Sequence, residues 1–263
     1  MKTRTQIFSM ALAGLILVGC SKTTYYQVFQ TKAVDPKCEV KDGRINHEAK
    51  NVTVQYNFFA EEGEAGFWLT NNTDSVIYVD LSETFFVING NANDYYQARQ
   101  WTTTKSSTIA ISKQERKNKK QKTSESMESS SQTSTKASTF GERCMIMVPP
   151  HATKYFSEYH INSNTFQLCG VRETPKKSKP EGVSFTEENT PLVFSNFITY
   201  TVGCKGKKQH VDDQFYISEI INVHGDAMFE TVREKDACGK ETGEKAQKIR
   251  YSTPDRFYLI YKK

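Results

Sequence analysis

Val52-Thr53-Val54-Gln55-Tyr56-Asn57-Phe58 is the stretch that decides the fold. Apolar and polar side chains alternate strictly along it, the period of two that lays one face of a β-strand on a core. A helix would space its apolar residues three and four apart. Glu61-Glu62-Gly63-Glu64 follows as a turn, and Ala65 to Leu69 reads as a second strand. Asn71-Asn72-Thr73-Asp74-Ser75 turns the chain again, into Val76-Ile77-Tyr78-Val79-Asp80-Leu81. Thr84 to Ile88 makes a further strand, closed by Asn89-Gly90, a dipeptide suited to the positive φ angles of a tight hairpin. Short strands with turn signals about every eight to twelve residues predict an antiparallel sandwich.

Further along, strands are expected at Cys144 to Val148, Lys154 to Ile161, Pro191 to Val202, Gln214 to Val223 and Arg256 to Tyr261. The chain carries 16 Phe, 13 Tyr and 2 Trp, residues that suit a pleated, half-buried surface. Within Gln214 to Val223, Phe215 and Ile217 keep one phase while Tyr216 and Ile220 keep the other, so part of this strand is expected to be buried on both faces. Ala227 to Glu234 has helical spacing through Met228 and Val232.

Between Thr102 and Thr139 the pattern gives way to Ser, Thr, Lys, Gln and Glu. Such a run buries too little apolar surface to offset its ordering entropy, so residues 102–139 are expected to be a disordered insertion. Its eight Lys/Arg against three Glu account for the whole formal charge of +5. No basic face on a folded surface is implied, and nucleic acid is not an expected partner. Glu173 to Gly182 is a second soft segment. The expected organisation is one mainly β, antiparallel β-sandwich-like domain, with its first part in 31–101 and its second in 140–263.

The start of the chain carries a different signal. Lys2 and Arg4 precede an apolar run from Ile7 to Val18, broken only by Ser9 and Gly14. As a helix that run spans roughly 18 Å, too short for a hydrocarbon core of about 30 Å and suited to a secretory signal. Leu17-Val18-Gly19-Cys20 resembles a bacterial lipobox. The resemblance implies removal of residues 1–19, lipidation of Cys20, and a stretch 20–30 that serves as tether and first strand. Several acyl chains anchor a protein stably where one does not.

Cysteines 38, 144, 169, 204 and 238 remain, an odd number in an exported chain where disulfides are permitted. Cys144 with Cys169 is the expected pair, since two strands and a turn between them bring the chain back. No Cys/His spacing of the zinc type occurs, so no metal and no cofactor is expected. The histidines at 47, 151, 160, 210 and 224 are scattered, and GxSxG and Gly-rich phosphate loops are missing from the sequence. The acids Glu61, Glu62, Glu64, Asp80 and Glu83 fall on or near turns, where solvated carboxylates are usual. Trp68, Tyr78 and Trp101 are candidates for stacking on a glycan, with packing between strands as the alternative. Asp74-Ser75-Val76 resembles the O-glycosylation motif of exported Bacteroidota proteins, which makes Ser75 a candidate acceptor; a plain Asp-Ser turn is the favoured alternative.

Cys20 to Val28, Glu83 to Gly90, Pro191 to Asn196 and Phe215 to Ile220 resemble a group of uncharacterised outer-membrane lipoproteins of Bacteroidota. The resemblance implies an envelope lipoprotein and supplies no activity. Ser21 in place of Asp favours the outer membrane, and the non-acidic Ser21-Lys22-Thr23-Thr24 favours its periplasmic face. The expectation is a non-enzymatic, membrane-anchored binding or structural protein, with an envelope protein or glycan as partner. The alternatives are a glycan-binding module and an envelope hydrolase without a recognisable motif.

Overall fold

The computed structural model describes residues 22–111 and 130–263. Residues 1–21, which hold the expected signal and the lipidation candidate Cys20, and residues 112–129 of the insertion lie outside the described residues. In chain order the strands are β1 (Thr24–Ala33), β2 (Glu39–Lys41), β3 (Arg44–Glu48), β4 (Val52–Tyr56), β5 (Phe67–Asn71), β6 (Ile77–Asp80), β7 (Phe85–Ile88), β8 (Asn91–Asp94) and β9 (Gln100–Ile111). They continue with β10 (Ser130–Gly141), β11 (Met145–Val148), β12 (Thr153–Phe156), β13 (Glu181–Ser184), β14 (Val193–Val202) and β15 (Lys208–His224). One helical turn, α1 (Gly225–Met228), leads to β16 (Phe229–Lys235), β17 (Glu241–Ile249) and β18 (Arg256–Lys262). Among the described residues no helix is long and apolar enough to cross a membrane.

The protein is mainly β and antiparallel. A nine-stranded sheet runs β11-β6-β14-β15-β1-β18, with β13 added on β15 and the β7–β8 hairpin on β14. A five-stranded sheet runs β12-β5-β4-β3-β2. The heptapeptide quoted at the outset supplies β4, with Val52, Val54 and Tyr56 fully buried and Thr53 and Gln55 half-buried on the other face. Phe58, the last residue of the heptapeptide and two past the end of β4, meets Phe194 of β14 and Phe215 of β15 with ring centroids 5.3 and 4.9 Å away, nearly edge to face. These rings tie the sheets together, each buried side chain contributing about 2–3 kcal/mol. Asn89 and Gly90 both have positive φ, 46° and 80°, as the hairpin turn requires.

The conflicting phases of β15 have a specific cause. The β1–β15 ladder shifts register between Gln30 and Thr31: Gln30 pairs with Glu219 and Thr31 with Ile217, leaving Ser218 as an extra residue. This bulge turns the side-chain phase over, so Phe215 and Ile217 before it and Ile220 after it are all fully buried.

Two expectations from the sequence are corrected. The helix expected over Ala227 to Glu234 is one turn, and Phe229–Lys235 is a strand paired with β17. The insertion is present, but its described arms are not structureless. β9 and β10 pair with each other from Gln100–Gly141 to Ile111–Ser130, forming a ribbon separate from both large sheets. Thr-rich arms meet the strand preference locally, and backbone hydrogen bonds within the ribbon need no apolar face.

Candidate functional site

Asp213 is where the two sheets meet chemically. In β15 the residues Val211, Asp213, Phe215 and Ile217 all point inward, and the carboxylate occupies one of these apolar positions with no exposed surface. Tyr56 of β4 donates its hydroxyl to Asp213 Oδ2 at 2.5 Å. His47 of β3 donates from Nδ1 to Oδ1. Cys38, in the segment joining β1 to β2, donates its thiol to the same Oδ1 at 3.7 Å. The carboxylate thus receives donors from two strands of the facing sheet, β3 and β4, and from the segment crossing between the sheets.

The electrostatics follow from that crowding. Burial, then the negative charges of Asp213 and Asp35, push the Cys38 thiol up to about 12, so it is protonated at neutral pH. The hydrogen bond to Asp213 outweighs burial at His47 and holds its imidazole above the usual histidine range. Burial and the neighbouring carboxylate raise the Tyr56 phenol well above its ordinary value. The thiol and the imidazole both address the carboxylate, so the grouping is centred on Asp213. A nucleophilic triad places the imidazole between the other two groups.

The sequence reading assigned no metal site, yet Cys38, His47 and Asp213 bring their ligand atoms within 4.8 Å of one another. His47 and Asp213 lie 166 positions apart, so no local spacing shows the grouping. One signal was available: a charged residue at the inward phase set by Val211 and Phe215.

The three aromatic candidates are not brought together. Trp68 lies on the outer face of the five-stranded sheet, between Arg44 of β3, 4.3 Å from the ring centroid, and Tyr155 of β12 at 4.4 Å. Its neighbours on both sides of β5 already occupy the ring. Tyr78 is half-buried in β6 of the other sheet, opposite Met147 of β11. Trp101 is 51% exposed on the ribbon, where it pairs across the ladder with Phe140, 60% exposed. Alternation sends Trp68 and Tyr78 outward from different sheets, so the three do not share one surface patch.

The Cys144–Cys169 bridge is not formed. Both are free, exposed thiols, as Cys204 and Cys238 are. Cys144 precedes the edge strand β11, whereas the segment holding Cys169 is fixed to β1 by Gln27, which accepts from the Phe166 backbone N–H at 2.7 Å and donates to its carbonyl at 3.0 Å. Four strand spacings separate β11 from β1, about 19 Å, against the roughly 7 Å that a disulfide spans between Cα atoms.

Ser75 is exposed, in a turn held by buried Asn71, whose amide donates to the Ser75 carbonyl at 2.7 Å. Three of the acids near turns have structural partners: Glu64 accepts from Gly66 N and Ser157 Oγ, both at 2.9 Å, Asp80 accepts from Ser82, and Glu83 pairs with Lys208. An open cleft lined by Thr24, Tyr26, His224, Phe229 and Arg250 lies beside the start of β1. Compared with known protein families, curated proteins and solved structures, the chain matches none.

Proposed function

We propose that this chain is a lipid-anchored, non-catalytic binding protein of the periplasmic face of the outer membrane, of the Bacteroidota lipoprotein kind its segments resemble. The observation that carries the reading is the shortness of the link between Cys20 and the fold. β1 begins at Thr24 and lies inside the larger sheet, between β15 and β18. Four residues reach about 14 Å at most, so acyl chains on Cys20 would hold the sandwich directly against a bilayer. Thr23 and Lys263 exchange backbone hydrogen bonds of 3.1 and 3.3 Å, which fixes the start of β1 beside the end of β18 at that same end of the sheet.

The ribbon is rooted elsewhere. β8 ends at Asp94, which pairs with Phe85; Phe85 pairs with Phe197, and Phe197 with Asp212. From Asp212 to His224, beside the anchored end, β15 runs for a path on the order of 40 Å. Exposed Trp101 and Phe140 therefore sit on an arm rooted far along the sheet from the anchor, suited to contact an envelope partner. The non-catalytic part of the reading is supported by the arrangement at Asp213, where the Cys38 thiol and the His47 imidazole both address the carboxylate and not each other.

The test is metabolic labelling with a clickable fatty acid followed by membrane fractionation. The chain is expected to be labelled and membrane-bound, and Cys20→Ala unlabelled and released. A Cys20→Ala protein that keeps both label and membrane would overturn the reading.

A further inference from the structure

We propose that Cys38, His47 and Asp213 form a binding site for a zinc-class divalent transition metal, placed where the chain crosses between the two sheets. The donor set is one sulfur, one imidazole nitrogen and one carboxylate oxygen, all within 4.8 Å of one another. That mixture suits zinc, which takes Cys, His and carboxylate ligands together, and does not suit calcium or magnesium, which take oxygen alone. Ligand atoms around a tetrahedral zinc are about 3.3–3.6 Å apart, given bonds of about 2.0–2.3 Å. Cys38 Sγ and Asp213 Oδ1 are already 3.7 Å apart. Side-chain shifts of about 1 Å bring all three into that range.

The surroundings are those of a ligand set held in place. Tyr56 binds the other oxygen of Asp213 at 2.5 Å and orients the carboxylate, as outer partners of metal ligands do. Asp35 adds negative charge near both Cys38 and His47, and Lys37 adds positive charge near His47. His47 and Cys38 are partly exposed while Asp213 is wholly buried, so an ion can enter from their side and meet the carboxylate last. A divalent ion with a thiolate, a neutral imidazole and a carboxylate sums to zero charge. Binding releases the Cys38 thiol proton to solvent and takes Nδ1 of a neutral His47 ring whose proton sits on Nε2, with no change in oxidation state. Three protein ligands leave a fourth position for water or a small ligand.

The test is titration with cobalt(II), a coloured substitute for zinc. It uses the full chain purified in detergent with Cys20, Cys144, Cys169, Cys204 and Cys238 all replaced by Ser, so that Cys38 is its single thiol. The expected result is uptake of one cobalt with a thiolate-to-metal charge-transfer band, discharged by zinc. Cys38→Ser in this background should abolish the band, and Tyr56→Phe should keep the band while weakening affinity about 10–100-fold. Cys38 sits in a half-exposed connecting segment, and its Ser variant keeps the shape of the side chain; circular dichroism checks the fold. Failure to bind cobalt, or binding of equal affinity and colour by Cys38→Ser, would overturn the proposal. Neither result bears on the lipid anchor.

Discussion

The Tyr56 hydroxyl reaches the buried Asp213 carboxylate at 2.5 Å, joining the central strand of the small sheet to the longest strand of the large one. Replacing Asp213 with Ala leaves His47, Tyr56 and Cys38 facing a void without their common acceptor. The loss should be about 3–5 kcal/mol. Tyr56→Phe removes one donor of three and should cost about 1–3 kcal/mol. Urea unfolding of the two variants checks the order; a Tyr56→Phe protein less stable than Asp213→Ala would contradict the central place of the carboxylate.

Gly63 and Gly90 separate strain from crowding. Both have positive φ, 73° and 80°, but a Cβ on Gly63 would lie 2.9 Å from Ile161 Cδ1 and Phe257 Cγ, while one on Gly90 meets nothing within 4 Å. Gly90→Ala should cost only the backbone strain, about 1 kcal/mol. Gly63→Ala adds overpacking of about 1–3 kcal/mol. Thermal unfolding should show the larger drop at Gly63, and equal drops would count against the packing described around it.

At the root of the ribbon, Arg99 donates to Glu142 and Glu158 at 2.7 Å each, and Glu142 Oε2 accepts from the backbone of Gln97 at 2.9 Å. Burial pushes the Glu142 carboxyl up, but the hydrogen bonds from Arg99 and from the backbone prevail and hold it below its ordinary 4.5. Because the folded value is lowered, this contribution is complete above about pH 4.5 and is lost as the pH falls through the lower folded value. Carboxyl carbon shifts measured by NMR should titrate below 4.5 for Glu142 and move upward in Arg99→Ala. An unchanged midpoint in that variant would show that the pair does not set it.

The ribbon itself should be dispensable for folding. β9 and β10 pair only with each other, and the Glu142 N–H donates to the Arg99 carbonyl at 2.8 Å, closing the chain beneath them. Replacing residues 100–141 with a short Gly-Ser turn should therefore leave the unfolding midpoint within about 1 kcal/mol of the parent. An unfolded product would mean that the ribbon packs on the sandwich.

Much of the sandwich was legible because strand alternation is a local property. β4, β7, β14 and β18 fall where Val52-Thr53-Val54, Thr84 to Ile88, Pro191 to Val202 and Arg256 to Tyr261 place them. β15 was only half legible, since the extra Ser218 flips its phase and a bulge depends on the partner strand. Met228 and Val232 mimic helical spacing, but pairing with β17 decides β16. The site was least legible. Asp213 is an ordinary acid in sequence and becomes exceptional only when strands 157 and 166 positions away deliver Tyr56 and His47. Trp68 and Tyr78 looked like neighbours in sequence and point outward from different sheets.

The most direct measurement of the proposed anchoring is the mass of the N-terminal peptide from protein extracted from its own membrane. A peptide that begins at Cys20 and carries diacylglycerol with further acylation is predicted. A peptide that retains residues 1–19, or begins at an unmodified residue beyond Cys20, would contradict it.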